Sequence, residues 1–133
     1  MKRLVGALVS FGVALAATSA MAEGDPGAGE KVFRKCQACH AVGEDAKNKV
    51  GPVLNGVVGA GWGHIDGYRY SKPLLAGKEE GRVWDMETLS AYLRKPKDVI
   101  PKGRMAFAGL RKDADIENVI AYLNQYNLDG TTK

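Results

Sequence analysis

The segment from Ala41 to Val83 constrains the fold of this 133-residue chain more than any other feature. It shows almost no helical or strand periodicity, and glycines interrupt it repeatedly between Gly43 and Gly67. A loop of about 40 residues is uncommon inside a compact domain, unless it wraps something other than protein. The segment therefore points to a large cofactor.

Both cysteines of the chain lie in one pentapeptide, Cys36-Gln37-Ala38-Cys39-His40. This is the attachment pattern of a c-type haem. Two thiols at this spacing can reach the two vinyl groups on one porphyrin edge and form thioethers, and the next residue then lies under the iron. We therefore predict one haem c, bound covalently through Cys36 and Cys39, with His40 as the proximal ligand.

Three other uses of these cysteines are weaker. A thioredoxin-like redox disulfide would need a βαβ pattern around the motif, and none is present. A closed zinc site with His40 would need four ligands, and the chain has no second Cys/His pair. A structural disulfide that closes so short a loop would contribute little stability.

The N-terminus has the pattern of a secretory signal. A basic start, Met1-Lys2-Arg3, precedes an apolar run from Leu4 to Ala17, and Ala20-Met21-Ala22 places small residues where signal peptidase cleaves. We predict that residues 1–22 are a signal peptide cleaved after Ala22 and that residues 23–133 form one domain in the periplasm. The alternative is an uncleaved anchor, because about 19 uncharged residues could just span a bilayer.

Cleavage would leave a mature chain of 111 residues. The two bases of the signal would be lost with it, so the net charge would fall from +4 to +2. Such a small excess disfavours nucleic-acid binding, since no motif accompanies it.

Three segments of the mature chain predict helices. Asp25 offers an N-cap to a helix that starts at Pro26. A further helix runs from about Asp85 to Arg94 and ends or bends at Lys95-Pro96, with a short turn near residues 97–99. The third and clearest helix covers residues 113–126. Asp113 can cap it, and its apolar stripe consists of Ile116, Val119, Ile120 and Leu123.

Electron transfer favours six-coordinate iron, so a second axial ligand is needed beside His40. The mature chain offers Met86, Met105, His64 and lysine side chains. Met86 falls in an apolar helix pattern and is expected to pack in the core. His64 lies in a glycine-rich loop and is expected to be solvated or hydrogen-bonded, although bis-histidine ligation is conceivable. Met105 lies in a loop between two helices, bracketed by proline and glycine, which places it ahead.

Several further motifs run along the whole mature chain. They are Gly29-Glu30-Lys31-Val32-Phe33, Gly51-Pro52, Tyr68-Arg69-Tyr70, Trp84, Tyr92-Leu93, Pro96-Lys97, Ile100-Pro101, Met105-Ala106-Phe107-Ala108-Gly109 and Ile120-Ala121-Tyr122-Leu123. In this order and spacing the chain resembles a class I c-type cytochrome of the bacterial cytochrome c2 and mitochondrial cytochrome c group. The resemblance implies a small all-α class I cytochrome c fold. Its N- and C-terminal helices would cross at Gly29, with a third helix and long loops wrapped around the covalent haem.

The resemblance also implies roles for individual residues. Met105 would be the second axial ligand, and the carbonyl of Pro52 would accept a hydrogen bond from His40. Tyr70 would lie near the haem propionates, and Trp84 would donate to one of them. The remaining haem contacts would come from Tyr92 and Phe107.

The chain departs from the family pattern near the propionates. Gly103 stands where relatives usually carry Thr, and Ala60 stands where an Arg often lies. The segment Ser71 to Val83 is a few residues longer than in the mitochondrial form. Two polar contacts to the inner propionate would therefore be missing, and the candidates to replace them are Trp62, Tyr68, Arg69 and Tyr70.

Together these features predict a soluble one-electron carrier and not an enzyme, because ligation by His40 and Met105 leaves no open coordination site. A ligand-binding haem protein with an exchangeable distal site and a membrane-tethered carrier are the alternatives. From the resemblance, a monomer would accept electrons from a membrane bc1 complex and pass them to an oxidase, a photosynthetic reaction centre or a periplasmic reductase. Docking would use a basic ring, defined as Lys35, Lys49, Lys97, Arg104, Arg111 and Lys112.

Overall fold

The computed structural model describes residues 6–13 and 24–133. Its helices are α1 (Pro26–Phe33), α2 (Lys72–Glu79), α3 (Met86–Arg94), α4 (Pro96–Val99) and α5 (Asp113–Leu123). Within these ranges the extended structure is limited to two isolated bridges, Gly61 with Val83 and Tyr126 with Thr132. The all-α prediction is therefore confirmed.

The predicted cleavage site after Ala22 lies outside the described residues, as does most of the predicted signal peptide. None of the helices found in residues 6–13 and 24–133 is long and apolar enough to cross a membrane.

Helix α1 begins where the sequence predicts. The Asp25 carboxylate accepts a hydrogen bond from the backbone N–H of Gly27 at 2.9 Å, and Pro26 occupies the first helical position. Val32 and Phe33 at the end of the helix are buried in the core. The cap thus fixes the start of α1, and burial of its last residues fixes its orientation.

Helices α1 and α5 cross in close contact at Gly29. A Cβ atom built on Gly29 would overlap the carbonyl of Asn118 and would lie 2.8 Å from Cβ of Tyr122. The side chain of Asn118 accepts a hydrogen bond from the Asp25 N–H at 2.8 Å, and the rings of Phe33 and Tyr122 pack with centroids 5.3 Å apart. Only glycine permits this approach, and the predicted crossing is confirmed.

The apolar stripe predicted for α5 is buried as expected. Its four residues are among the least exposed side chains of the described chain: Ile116, Val119, Ile120 and Leu123. The predicted cap and end of α5 are wrong. Asp113 lies inside the first turn and pairs with Arg94 of α3, and Lys112 takes the N-cap position without a side-chain hydrogen bond. The helix ends at Leu123, because the chain then folds back so that Asn127 N–H donates to the Thr131 carbonyl at 2.8 Å.

Helix α2 was not predicted from the sequence. Ser71 caps it by accepting from the N–H of Leu74 at 3.4 Å, and Pro73 lies in its first turn. Only Gly77 is buried in this helix, and a Cβ there would overlap the six-membered ring of Trp62. The eight residues of α2 show no apolar stripe, because the buried contact of this helix is made by Gly77 against the face of the Trp62 ring.

Helices α3 and α4 lie side by side beneath the segment that carries Met105. Asp85 caps α3 by accepting from Thr88 N–H at 2.7 Å, and this hydrogen bond lowers the pKa of the Asp85 carboxyl. Leu89 and Leu93 bury the inner side of α3. The short turn predicted near residues 97–99 is the one-turn helix α4.

Candidate cofactor site

A cavity of about 640 Å³ opens among α3 and the loops, a volume within the usual range of 300–1,000 Å³ for ligand sites. Its walls are formed by residues from five separate parts of the chain. All nine site residues predicted from the sequence line it: Cys36, Cys39, His40, Pro52, Tyr70, Trp84, Tyr92, Met105 and Phe107.

The imidazole of His40 is held in one orientation. Its Nδ1 donates to the carbonyl of Pro52 at 2.7 Å, so in the neutral ring Nε2 carries the lone pair. Burial lowers the pKa of His40, and the hydrogen bond to Pro52 opposes this shift. A Cβ on Gly51 would lie 2.8 Å from Nδ1, so glycine is required there. The ring is thus prepared as a neutral nitrogen ligand.

The two cysteines follow directly from the end of α1. The N–H of Cys36 donates to the Phe33 carbonyl at 2.7 Å, and the N–H of His40 donates to the Cys36 carbonyl at 2.9 Å. This continued turn brings both thiols and the imidazole to one wall of the cavity. Both thiols are free and half-buried, and burial raises the pKa of Cys36 while Lys35 opposes the shift. Within residues 6–13 and 24–133 no group of three His, Cys, Asp or Glu side chains could hold a metal ion.

The sulfur of Met105 lies on the same cavity. Sδ accepts a hydrogen bond from the Tyr92 hydroxyl at 3.3 Å, and the Tyr92 ring packs on Trp84 with centroids 4.8 Å apart. Burial raises the pKa of Tyr92 to about 12, so the hydroxyl remains a donor at neutral pH. The thioether sulfur has a second lone pair, which this hydrogen bond leaves available.

The other ligand candidates are placed differently. His64 also lines the cavity, but its Nε2 donates to the Asn55 carbonyl at 2.9 Å. Met86 stands at the start of α3 with 46% of its surface exposed, so its expected place in the core is wrong. The structure therefore brings Met105, and not Met86, to the cavity of His40.

A family model described as cytochrome c matches residues 27–127. The chain belongs to the cytochrome c family. This confirms the resemblance inferred from the motifs, which rested on residues spread over the same range.

Relatives of the cytochrome include curated proteins and a solved structure. It is 51% identical to cytochrome c-550 of Ancylobacter novellus over 106 residues, which cover 80% of this chain and 99% of the relative. It is 41% identical to cytochrome c2 of Blastochloris viridis over the full length of both. The structure of cytochrome c2 from Rhodospirillum centenum superposes with a TM-score of 0.73 at 39% identity, covering 78% of this chain and 99% of that one. Proteins of this kind carry electrons and are not enzymes.

Membership of the family implies covalently bound haem c, and the residues of the cavity fit this group. Two free thiols and an imidazole with a fixed tautomer stand on one wall, and a thioether sulfur lies on the same cavity. Apolar side chains complete the lining, among them Val57, Leu74 and Ile100. An apolar cavity with a few fixed polar groups is what a porphyrin needs in order to be held away from water.

Two phenols and an indole lie on the part of the cavity for which the resemblance implies contacts to the haem propionates. Tyr68 and Tyr70 line the cavity with Trp84, and Tyr70 accepts a hydrogen bond from the Ile65 N–H at 3.1 Å while its own proton stays available. Trp62 lies behind Trp84, stacked at 4.7 Å, and is not among the lining residues. Of the four candidates to replace the missing contacts, the structure thus brings only the two tyrosines to the cavity.

Trp62 has a structural environment that the sequence did not indicate. It is 2% exposed, its Nε1 is buried without a hydrogen-bond partner in the described structure, and the Arg82 guanidinium lies 4.2 Å from its ring centroid. Its ring stacks on that of Trp84, and Gly77 of α2 packs against its face. Residues of the segment between Ser71 and Val83 therefore cover this tryptophan, through Gly77 and Arg82.

The six residues of the basic ring are all exposed. Lys35 and Arg104 line the cavity itself, and Lys97 lines a small crevice that also contains Met105. Lys49 donates through Nζ to the Gln37 carbonyl at 3.0 Å, beside the haem motif. Arg111 and Lys112 lie just before α5.

Proposed function

We propose that this cytochrome is a soluble periplasmic one-electron carrier whose haem iron is bound by His40 and Met105. One observation carries the proposal: a single cavity is lined by His40, whose Nε2 keeps its lone pair, by the sulfur of Met105 and by both cysteine thiols. With both axial positions filled, no site is open for a substrate. The haem supplies the reversible one-electron change, and a thioether ligand raises its reduction potential relative to a second imidazole.

The remaining residues of the cavity support this role by keeping the site rigid and dry. The hydrogen bonds from His40 to Pro52 and from Tyr92 to Met105 fix both ligands before and after electron transfer. Trp84 and Ile100 are buried and exclude water from the cavity wall. Little has to move when the charge on the iron changes, which favours fast transfer.

Export and cleavage after Ala22 are part of the proposal. The basic, apolar and small-residue regions in residues 1–22 support it. The family match begins at residue 27, and cytochrome c-550 of Ancylobacter novellus aligns over 99% of its length while covering only 80% of this chain. The family match therefore lies within the proposed mature domain, although cytochrome c2 of Blastochloris viridis aligns with the full length of this chain.

The mass of the exported protein and its pyridine haemochrome spectrum test attachment and cleavage together. We expect the mass of residues 23–133 plus one haem, and a spectrum in which both vinyl groups are saturated, because Cys36 and Cys39 each form a thioether. In Cys36→Ser the spectrum should shift to that of one thioether. A mass that retains Met1 to Ala22 would refute cleavage and favour the membrane-tethered carrier, and a single-thioether spectrum of the unmodified chain would refute attachment through both cysteines.

Docking at the basic ring is the part of the proposal that concerns partners. Lys35 and Arg104 stand where the cavity opens, so an acidic surface of a redox partner would be drawn to the haem edge. From the resemblance, these partners are a bc1 complex as donor and an oxidase, a reaction centre or a periplasmic reductase as acceptor. The contacts would be small and short-lived, as transient redox complexes are.

Salt should slow electron transfer between this cytochrome and an acidic partner. The screening length falls from about 30 Å at 0.01 M salt to about 10 Å at 0.1 M, so steering by the ring is largely lost over this range. Stopped-flow rates should fall several-fold, and the charge reversal Lys35→Glu should lower the rate at low salt and flatten the salt response. Lys133→Glu, outside the ring, serves as the matched control for the same charge change. Equal effects of the two variants, or a flat response of the unmodified protein, would remove the docking ring from the proposal.

A further inference from the structure

Two short segments pair beside the cavity wall that contains Trp84. The N–H of Trp62 donates to the carbonyl of Arg82 at 2.9 Å, and the N–H of Trp84 donates to the carbonyl of Ala60 at 2.7 Å. An antiparallel bridge lies between these two hydrogen bonds. Alternate residues of such a pair point to the same face, so the side chains of Trp62, Arg82 and Trp84 share one face.

The ring of Trp62 contacts both of its neighbours on this face. The Cζ atom of the Arg82 guanidinium lies 4.2 Å from the centroid of the Trp62 ring. The Trp84 ring is stacked on the same indole, with centroids 4.7 Å apart and an interplanar angle of 23°. Trp62 is buried and Trp84 lines the cavity, whereas Arg82 is exposed. One buried indole thus connects a surface charge with the cavity wall.

The positive charge of Arg82 is not taken up by an ion pair. The two ion pairs of residues 6–13 and 24–133 involve other side chains. Asp85 is three positions away, but its carboxylate accepts from the Thr88 N–H as the N-cap of α3. A cation over an indole is attracted by the negative face of the ring, and the planar guanidinium of arginine suits this contact. The charge therefore acts on Trp62.

The indole N–H of Trp62 shows which part of this side chain matters. It is buried and has no hydrogen-bond partner in the described structure, an arrangement that costs free energy. Trp62 thus contributes through the faces of its ring and not through a hydrogen bond. Trp84, which stacks on it, belongs to the cavity wall, where the resemblance implies that its N–H donates to a haem propionate.

We propose that Arg82 is a positioning residue, which acts on the bound haem through Trp62 and Trp84. Its guanidinium holds the Trp62 ring against Trp84, and its charge makes the Trp84 N–H a stronger donor. The same charge raises the reduction potential, because it favours the ferrous haem, which carries one positive charge fewer. This inference rests on the proposed one-electron function of the haem, but not on the identity of the second axial ligand.

Substitution of Arg82 separates the charge from the packing. Arg82→Met keeps an unbranched side chain that can cover the Trp62 ring, but it removes the charge. In equilibrium with a fixed redox couple, the ratio of ferrous to ferric protein should then fall about three-fold, as for a charge acting through protein rather than water. Arg82→Lys keeps a cation that can lie over the ring, so it should retain most of this ratio.

Nuclear magnetic resonance of the ferrous holoprotein shows whether the effect passes through Trp84. A weaker hydrogen bond from the indole shifts its N–H proton upfield. We therefore expect an upfield shift of the Trp84 N–H resonance in Arg82→Met and little change in Arg82→Lys. A fall in the ferrous-to-ferric ratio without this shift would refute the route through Trp84.

Arg34→Met is the matched control for the redox titration and for the resonance. It removes an exposed arginine at the C-cap of α1, which is not among the residues that line the cavity, so both readouts should stay close to those of the unmodified protein. The proposal is overturned if Arg82→Met leaves the ratio unchanged, if Arg34→Met lowers it equally, or if Arg82→Lys lowers it as far as Arg82→Met. Absence of the near-infrared sulfur-to-iron band from the unmodified protein would instead refute ligation by Met105, so the two failures are distinguishable.

Discussion

Met105→Ala is expected to abolish the sulfur-to-iron absorption band in the near-infrared and to lower the reduction potential. Alanine has no donor atom, so the distal position of the iron would be taken by water or by another side chain, and the ferrous state would lose the stabilisation that a thioether gives. The loss of the band should be complete, because it reports the bond itself. Absorption spectra of the ferric holoprotein and a redox titration measure both effects.

Met86→Ala is the matched control for this experiment. It removes a methionine of the same chain from the start of α3, where the side chain is 46% exposed and is not among the residues that line the cavity. Its band and potential should equal those of the unmodified protein. If Met86→Ala removed the band and Met105→Ala retained it, the assignment of the ligand would be wrong.

Binding of carbon monoxide tests whether the distal site is closed, because it measures access of an added ligand to the iron. The ferrous unmodified protein should bind it slowly and incompletely at neutral pH, since Met105 has to leave first, whereas ferrous Met105→Ala should bind it quickly. Rapid and complete binding by the unmodified protein would contradict the carrier and would favour the ligand-binding haem protein.

Helices α1 and α5 could be predicted because their determinants are local in sequence, whereas their crossing at Gly29 was expected only from the family resemblance. Asp25 and Pro26 mark a helix start through their own backbone geometry, and the stripe from Ile116 to Leu123 repeats with the helical period. The haem motif is local as well, since both thiols and the imidazole lie within five residues. Features of this kind can be recognised before the fold is known.

Helix α2 and the environment of Trp62 depend on partners that the sequence places far apart. Gly77 would ordinarily weaken a helix, yet in the fold it is the position at which α2 packs on the Trp62 ring. The hydrogen bond from the Arg104 guanidinium to the backbone carbonyl of Arg69 could not be predicted from the sequence either, because any residue provides such a carbonyl. Asp113 is a prediction that failed for a related reason. The sequence marks it as an N-cap of α5, but in the fold its carboxylate pairs with Arg94.

Gly29→Ala is expected to destabilise the folded protein by about 3 kcal/mol or more, since overpacking usually costs about 1–3 kcal/mol and here the obstacle is backbone. The added Cβ would overlap the Asn118 carbonyl and press on Tyr122, so α1 and α5 would have to separate. This separation would expose Phe33 and the apolar stripe of α5, which form the core beside the haem motif. Guanidinium unfolding of the ferric holoprotein, followed by far-ultraviolet circular dichroism, measures the change.

Gly27→Ala makes the same chemical change two residues earlier in α1 and should have the opposite effect. Gly27 is exposed, and a Cβ atom added there would meet only an Asp25 carboxylate oxygen at 3.4 Å, which is ordinary contact. Replacing a helical glycine by alanine in open space raises the free energy of unfolding by about 0.5–1 kcal/mol. If both variants shifted the free energy of unfolding in the same direction, helix propensity, and not the close approach of α5, would determine the effect of alanine at position 29. If only Gly29→Ala caused a large loss in the free energy of unfolding, the crossing of α1 and α5 would be a main source of stability, because the two substitutions differ only in what the new methyl group contacts.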